Sequence, residues 1–218
     1  MFTVSLSHGA LKALALIAPQ EEARTCLNTI CIDTTTTGRV HLVACDGHRM
    51  LVVGNATAEG DIPAGQFLIP ASACRGVKQR GTERYPLPIT IDVTPTVAGR
   101  GEFTIFGKSD VVGQLQDDRF PQWHRVVPHK VSGKLAHFNL GYLAEFHKAA
   151  MYLGKDFPVI QHNGDGAALI DMGADAFGVL MPIRQPRGIE GGLPAWFEPV
   201  AAEKVAALMA SVNAEYSS

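Results

Sequence analysis

The chain repeats one pattern three times: a short strand, a helix and three further strands. The three units are predicted at residues 1–58, 65–116 and 134–184. A supersecondary unit that recurs about every fifty residues is typical of an array built by duplication. The repeat therefore predicts an α+β fold made of about three strand-helix-three-strand units.

Helix caps and apolar spacing place the helices within this pattern. Ser7 can cap a helix that runs to Ile17, and Asn139 can cap one over residues 140–153. A second helix is predicted at residues 71–80, and a fourth follows Pro199. The opening strands are predicted at residues 2–6, 66–69 and 134–138, and the others at 27–33, 40–44, 50–55, 89–93, 102–106, 111–116, 157–162, 168–171 and 176–181.

Composition excludes several classes of protein. Of 218 residues, 46% are hydrophobic and 18% are charged, with a formal net charge of −2, which does not fit a disordered chain. There is no run of eighteen apolar residues, and the first residues lack the layout of a signal peptide. We therefore expect a cytoplasmic protein. The nearly neutral charge argues at first against nucleic-acid binding, because DNA-binding proteins usually carry a basic excess.

The residues that usually perform catalysis form no motif. The four cysteines are Cys26, Cys31, Cys45 and Cys74; none belongs to a CxxC pair or a zinc-like Cys-His spacing, and we expect reduced, mostly buried thiols. The glycines form neither a GxxxxGK[ST] loop nor a GxGxxG turn after a strand. A thiol or histidine hydrolase stays open only if the fold brings a cysteine to one of the eight histidines. We therefore predict a non-enzymatic protein with no metal and no cofactor.

Three segments carry the motifs of the chain: VACDGHRM at 43–50, DRFPQWHRVVP at 118–128 and VLMPIR at 179–184. By itself, Asp46-Gly47 indicates a hairpin turn with His48 and Arg49 as solvated flanks. The second segment indicates an aromatic-anchored connector, and the third indicates a strand end at Pro182. Together, in this order, the segments resemble ATDGHRL, GRFPDYRRVLP and VVMPMRL of the bacterial DNA sliding clamp, the beta subunit of DNA polymerase III.

The resemblance implies a DNA-clamp fold but not a whole clamp, whose chain has three domains of two units each. Residues 1–130 resemble the complete middle domain, and residues 131–184 resemble the second half of the last domain. The first domain and the first half of the last have no counterpart. Residues 185–218 form a linker and a helical tail that the resemblance does not cover. In this tail Leu193, Trp196 and Phe197 could dock as a latch, or the tail helix could pack on the body through Val205, Leu208 and Met209.

In the clamp family these three segments meet at a surface pocket that takes short linear motifs of polymerases and other replication proteins. Aliphatic side chains would form its floor, while His48, Arg49 and Arg125 could hydrogen-bond the peptide. Cys45, Met50 and Ile183 replace the usual threonine, leucine and methionine with residues of similar size. The implied pocket residues are Leu27, Cys45, Gly47, His48, Arg49, Met50, Pro121, Arg125, Val126, Val179, Met181, Pro182 and Ile183.

The family's helices line a ring and face DNA with basic side chains, so the location of charge matters more than the net charge. The DNA-contact candidates on or beside the predicted helices are Lys12, Arg24, Arg75, Lys78, Arg80, Lys148 and Lys155, three of them near the second helix. Each alone is also an ordinary solvated surface residue. Since a family ring holds twelve units, a ring would need four such chains, and an open dimer or a monomer is equally compatible.

Two functions follow from the resemblance. The first is a sliding-clamp-like replication accessory protein that binds partner motifs in the pocket and could contact or encircle duplex DNA as a processivity factor. The alternative is an interaction module, or decoy, that competes for clamp partners without encircling DNA. Near-neutral charge is compatible with both.

Overall fold

A computed structural model describes residues 1–20, 23–35, 39–82, 84–96 and 100–184 of the chain. The body of the protein is Met1–Arg184. The predicted fourth helix, the proposed latch residues and the tail contacts all belong to residues 185–218, outside the described residues. No helix in the described part is long and apolar enough to cross a membrane.

Most elements follow the predicted order. Unit 1 holds β1 (Phe2–Leu6), α1 (His8–Ile17), β2 (Thr29–Asp33), β3 (His41–Cys45), β4 (Arg49–Val53) and β5 (Thr57–Gly60). Unit 2 holds β6 (Gln66–Pro70), α2 (Ala71–Arg75), β7 (Arg80–Gly81), β8 (Pro86–Leu87), β9 (Ile89–Pro95), β10 (Gly101–Phe106) and β11 (Val111–Gln114). Unit 3 holds α3 (Leu140–Tyr152), β12 (Val159–Gln161), β13 (Ala168–Asp171) and β14 (Ala176–Leu180).

Units 1 and 2 interlock by exchanging their opening strands. β1 opens unit 1 but pairs antiparallel with β9, the first meander strand of unit 2. β6 opens unit 2 but pairs antiparallel with β2, the first meander strand of unit 1. Each unit therefore covers the sheet edge that the other would leave bare, and neither sheet is complete without both units.

Unit 3 continues the sheet of unit 1. The strand order is β12-β13-β14-β4-β3-β2-β6 in the larger sheet and β11-β10-β9-β1-β5 in the smaller one. The joint between the units is the antiparallel pair β14 and β4, in register from Ala176 opposite Val53 to Leu180 opposite Arg49. Backbone pairing along five residue pairs thus joins unit 3 to unit 1.

The helices and the inner faces of the sheets share one apolar core. The side chains of Phe2 and Leu14 of unit 1, Ile91 of unit 2 and Phe146 of unit 3 are all buried in it, so the core spans all three units. A Cβ at Gly9 of α1 would overlap the carbonyl oxygen of Tyr152 at the end of α3. Glycine at this position therefore lets the two helices approach each other closely.

The predicted second helix is too long. α2 ends at Arg75 instead of residue 80, and the backbone of Arg80 pairs with Leu87 in the two-stranded ribbon β7–β8. The ribbon competes with the helix for these backbone groups, and Gly76 follows the last helical residue. β5 was missed because its residues are mostly exposed and show no clear alternation, although it pairs with β1 along four residues.

The predicted opening strand of unit 3, at residues 134–138, is also wrong. Only His137 forms an isolated bridge there, to Ile183. In units 1 and 2 the opening strand is held by the first meander strand of the other unit. The described residues offer no such partner to unit 3, so its extended segment has no ladder to join.

Candidate partner-peptide pocket

The Asp46–Arg49 turn is built by the Asp46 carboxylate. Its Oδ1 accepts hydrogen bonds from the backbone N–H groups of His48 and Arg49, each at 2.8 Å. Gly47 has a φ of +90°, and a Cβ there would clash with the guanidinium of Arg24, which lies over the turn. The tight turn expected from Asp46-Gly47 is present, and its positive φ favours glycine at position 47.

Arg49 is not a solvated flank of this turn. Only 8% of its side chain is exposed; its Nε donates to Asp46 Oδ2 at 2.8 Å and its Nη1 forms an ion pair with Glu145 of α3. The guanidinium lies 4.4 Å from the ring centroid of Tyr142, and the His48 ring stacks on the same tyrosine at 6.2 Å. Arg49 and His48 thus connect the turn of unit 1 to α3 of unit 3.

The third motif, residues 179–184, also contributes to the joint between units 1 and 3. The backbone N–H of Met181 donates to the carbonyl of His48 at 2.9 Å, directly after β14 ends. Met181 is 45% exposed, whereas Val179 and Met50 beneath it are 2% exposed. The joint therefore has a buried aliphatic floor with one flexible methionine at its surface.

The connector between units 2 and 3 passes over this joint. Phe120 is buried in a small second core, and Thr25 donates to Asp118 Oδ2 at 2.8 Å. Further along, the indole N–H of Trp123 donates to Asp33 Oδ2 at 2.8 Å. The connector is therefore anchored at two points and holds one wall of the pocket.

The Asp33 carboxylate holds the connector wall in place by accepting the hydrogen bond from Trp123. Burial by itself would raise its pKa, but hydrogen bonds from Thr35, Gln66 and Trp123 together hold the pKa below the usual value. Asp33 is therefore ionised at neutral pH and accepts the indole N–H as a charge-assisted hydrogen bond.

A cavity of about 170 Å³ lies at this joint. This is smaller than the roughly 300–1,000 Å³ typical of sites for drug-sized ligands, and suits one or two anchoring side chains. Ten of the thirteen residues inferred from the sequence line it: Leu27, Cys45, Gly47, His48, Arg49, Met50, Pro121, Val126, Val179 and Met181. The structure thus brings together residues from all three motifs.

Three of the residues inferred from the sequence do not line this cavity, and four residues that were not inferred as pocket residues do line it. Arg125 lies on a 3₁₀ turn (Trp123–Val126) and is exposed, while the next residue, Val126, lines the cavity. Pro182 and Ile183 follow the end of β14, where the chain turns away to His137. The additional lining residues are Arg24, Phe120, Gln122 and Trp123. The aromatic pair belongs to the connector motif and could have been inferred, whereas Arg24 was placed among the DNA-contact candidates.

Two of the remaining basic candidates, Lys12 and Arg75, line one cavity with Tyr152, and the other four do not line it. Lys12 of α1 and Lys148 of α3 both approach the Tyr152 ring, with Nζ 4.2 Å and 6.0 Å from its centroid. The Arg75 guanidinium donates to the carbonyls of Ala18 and Pro19, the two residues after α1, at 2.9 and 2.7 Å. Because α2 is short, Lys78 and Arg80 lie beyond it, and Lys155 follows α3.

The pocket is not equipped for covalent catalysis. Cys45 and His48 both line it, but burial raises the pKa of the Cys45 thiol, so the thiol is protonated at neutral pH. The His48 ring contacts Tyr142 instead. All four cysteines are free, with Cys31 and Cys74 buried and the other two half-buried. Among the described residues, no group of three or more His, Cys, Asp or Glu side chains is arranged to hold a metal ion.

Interlocked strand-helix-three-strand units, joined edge to edge with helices on one face of the sheets, define the DNA-clamp class of folds. Solved structures that are similar to this chain include bacterial sliding clamps. The clamp of Bartonella birtlesii bound to griselimycin matches at 19% identity and a TM-score of 0.60, over 84% of this chain and 66% of that one. The Borrelia burgdorferi beta subunit in complex with a natural product matches at 12% identity and a TM-score of 0.62, over 85% and 65%. The Helicobacter pylori clamp bound to a DNA ligase peptide matches at 12% identity and a TM-score of 0.61, over 84% and 66%.

The predicted DNA-clamp fold is therefore confirmed. The chain spans just under two thirds of the length of these clamps. No protein-family model and no curated protein sequence matches the chain. At 12–19% identity the likeness lies in the fold, and function has to be argued from the residues of the pocket.

Proposed function

We propose that this protein is a sliding-clamp-like replication accessory protein that binds short linear motifs of DNA polymerase or other replication proteins in the pocket at the joint of units 1 and 3. The observation that carries the proposal is the convergence of the three motifs on one small cavity in a chain with the clamp fold. A solved clamp of the same fold is bound to a DNA ligase peptide, which supports a linear motif as the ligand. We propose no catalytic role and no cofactor.

The chemistry of the pocket suits such a ligand. Leu27, Met50 and Val179 form a buried aliphatic floor for a leucine or phenylalanine anchor. His48 is exposed at the rim and Met181 is partly exposed, so both are accessible to a peptide. A few buried anchors of this kind carry most of the affinity of a peptide interface.

The domain assignment follows the same reasoning and is part of the proposal. Residues 1–130 correspond to a clamp middle domain, because units 1 and 2 complete each other by strand exchange. Residues 131–184 correspond to the second half of a clamp last domain, which supplies one wall of the pocket through β14.

The test of the pocket is a titration of the full chain with a fluorescently labelled clamp-binding peptide that carries leucine and phenylalanine anchors. Replacing both exposed contacts, His48→Ala and Met181→Ala, should weaken binding at least about 30-fold, since each anchor typically contributes about 1 kcal/mol or more. The matched control is the pair Val112→Ala and His129→Ala, two exposed positions outside the pocket lining. Absence of binding by the wild-type chain, or equal losses in both double variants, would refute the proposal.

We also propose that the protein contacts duplex DNA. Lys12 and Lys148 are the best candidates for this contact. Both lie at the Tyr152 ring, so their charges reinforce each other on one surface of the helices. Replacing both with alanine should weaken DNA binding and reduce the slope of log affinity against log salt by about 0.9 for each lost phosphate contact. Lys130→Ala, an exposed lysine in the connector, is the control.

The decoy function is favoured by one observation. The Arg75 guanidinium donates to the carbonyls of Ala18 and Pro19 after α1, and Lys78 and Arg80 lie beyond the short α2, so α2 carries one of the three basic candidates predicted near it. A chain that binds the peptide but shows no salt-dependent binding to duplex DNA would support the decoy over the processivity factor.

A further inference from the structure

A cavity of about 420 Å³ lies among the three helices, within the roughly 300–1,000 Å³ typical of ligand sites. α1 contributes Lys12 to its lining, α2 contributes Arg75, and α3 contributes Glu145 and Tyr152. Arg49 of β4 also lines it. We call this space the helix cavity. All three units meet there, so it exists only in the folded chain.

The charged side chains of the helix cavity are mostly basic. Lys12, Arg49 and Arg75 line it, and Glu145 is the one carboxylate among its described lining residues. Glu145 already forms an ion pair with Arg49. The charges of Lys12 and Arg75 are therefore not balanced within the described lining, and the field in the cavity favours an anion.

Arg75 is held in place at the wall of the helix cavity. Its Nη2 donates to the carbonyl oxygens of Ala18 and Pro19 at 2.9 and 2.7 Å. These bonds fix the guanidinium and occupy two carbonyl oxygens that would otherwise present partial negative charge to a ligand. Both bonds use Nη2, and among the described residues Nε and Nη1 donate to no acceptor. The guanidinium is thus pre-organised to donate to an oxyanion.

Lys12 adds a second cationic donor. It is exposed on α1, and its Nζ lies 4.2 Å from the centroid of the Tyr152 ring. A compact ammonium group and a fixed guanidinium at one cavity suit phosphate oxygens, which accept charge-assisted hydrogen bonds from both. Two unbalanced positive charges also favour a ligand with two or more negative charges over a monoanion.

Arg49 connects the helix cavity to the peptide pocket. Among the described residues it is the one side chain that lines both. Its Nε donates to Asp46 and its Nη1 pairs with Glu145, which leaves a limited number of N–H groups for any ligand. An anion in the helix cavity and a peptide in the pocket draw on the same guanidinium, so each should weaken the binding of the other.

We propose that the helix cavity binds a small oxyanion of the phosphate class, and that Arg49 couples its occupancy negatively to peptide binding in the pocket. The coupling rests on the proposed function of the pocket, whereas the anion site does not. Two sources offer this chemistry: a free anion such as pyrophosphate, and the backbone phosphates of duplex DNA.

The anion site is tested by calorimetric titration of the full chain with sodium pyrophosphate at constant ionic strength. Lys12→Met and Arg75→Met should each weaken binding at least about 10-fold, because each removes a charged donor. Lys130→Met, at an exposed lysine of the connector, is the matched control and should bind like the wild type. Lys12 and Arg75 are exposed, and unfolding curves show that each variant is folded. No binding by the wild type, or undiminished binding by Lys12→Met and Arg75→Met, would overturn the proposal.

The coupling is tested by titrating the labelled clamp-binding peptide with and without saturating pyrophosphate. Pyrophosphate should weaken peptide binding about 5-fold in the wild type, and the peptide should weaken pyrophosphate binding by the same factor. In Arg49→Met, saturated with pyrophosphate, this effect should disappear. An equal effect in Arg49→Met, or none in the wild type, would overturn the coupling.

Duplex DNA in place of pyrophosphate identifies the source of the phosphate. A weakening of peptide binding by both ligands assigns the site to backbone phosphates, and a weakening by pyrophosphate alone assigns it to a free anion. A wild type that binds pyrophosphate but no peptide would refute the proposed function of the pocket. In that case pyrophosphate binding by Arg49→Met still tests the anion site, since loss of a lining guanidinium should weaken it.

Discussion

Replacing Arg49 with methionine tests how the joint between units 1 and 3 is held. The variant keeps an unbranched aliphatic side chain in a site that is 8% exposed, but removes the bond to Asp46, the ion pair with Glu145 and the contact with Tyr142. We expect the chain to remain folded and the body to become less stable, because these three interactions connect the turn to α3.

The magnitude follows from the burial of each partner. The charged hydrogen bond to Asp46, which is 12% exposed, contributes about 1.5–3 kcal/mol, and the contact with the Tyr142 ring contributes about 1 kcal/mol. Glu145 is 42% exposed, so its ion pair is screened by water and adds less than about 1 kcal/mol. Part of this total is offset because the guanidinium no longer has to be desolvated. A net loss of about 2–3 kcal/mol remains, which lowers the Tm of a domain of this size by about 4–12 °C.

Arg100→Met is the matched control. Arg100 Nε donates to Asp117 Oδ2 at 2.8 Å, the same atoms and distance as in the Arg49–Asp46 pair, but the two side chains are 74% and 51% exposed. Water screens such an exposed pair, so it contributes little to stability. The free energy of unfolding lost in Arg49→Met, measured by thermal and urea unfolding, should therefore exceed the loss in Arg100→Met by at least about 1 kcal/mol. Equal shifts, or a loss below about 1 kcal/mol in Arg49→Met, would refute the conclusion that burial at the joint strengthens this pair.

Two further predictions concern the packing of α1 and the connector wall. Gly9→Ala should destabilise the body by about 1–3 kcal/mol in urea unfolding, because its Cβ overlaps the backbone of α3, whereas Gly76→Ala should be neutral or slightly stabilising, since nothing lies within 4 Å and its backbone is helical. Trp123→Phe removes a hydrogen bond to ionised Asp33 and should lower stability by about 1–2 kcal/mol at pH 7. Because the folded pKa of Asp33 is depressed, the stability linked to its ionisation is present above the unfolded pKa of about 3.9 and is lost as pH falls through the folded value. The difference between wild type and Trp123→Phe should therefore shrink in acid unfolding below about pH 4; a constant difference would show that the indole acts by packing alone.

The fold could be inferred from the sequence where the signal was local. The Ser7 and Asn139 caps are in place, and both accept hydrogen bonds from the first turns of their helices. The β13 strand lies at residues 168–171 as predicted. Local signals of this kind depend on neighbours in the chain, which the sequence shows directly.

Prediction from the sequence was less accurate where the structure of a segment depends on residues far away in the chain. Residues 134–138 read as a strand by composition, but a strand needs a ladder, and no partner for it exists in the described part of the chain. The same limit applies to Arg24, whose long side chain lies over Gly47 although the two residues are far apart in sequence. Arg49 illustrates it best, because its neighbours in sequence indicate a solvated turn and its burial comes from α3.

By itself the sequence determined the repeated unit, its helix caps and turns, and the three motifs whose order resembles that of a clamp. Each of these is encoded in contiguous residues through caps, periodicity and turn chemistry. Only the tertiary structure decided which units interlock and that Arg49 is buried at the joint. The physical reason is that burial and edge pairing are properties of surfaces brought together by the fold, and a linear pattern specifies which side of an element is apolar without specifying what covers it.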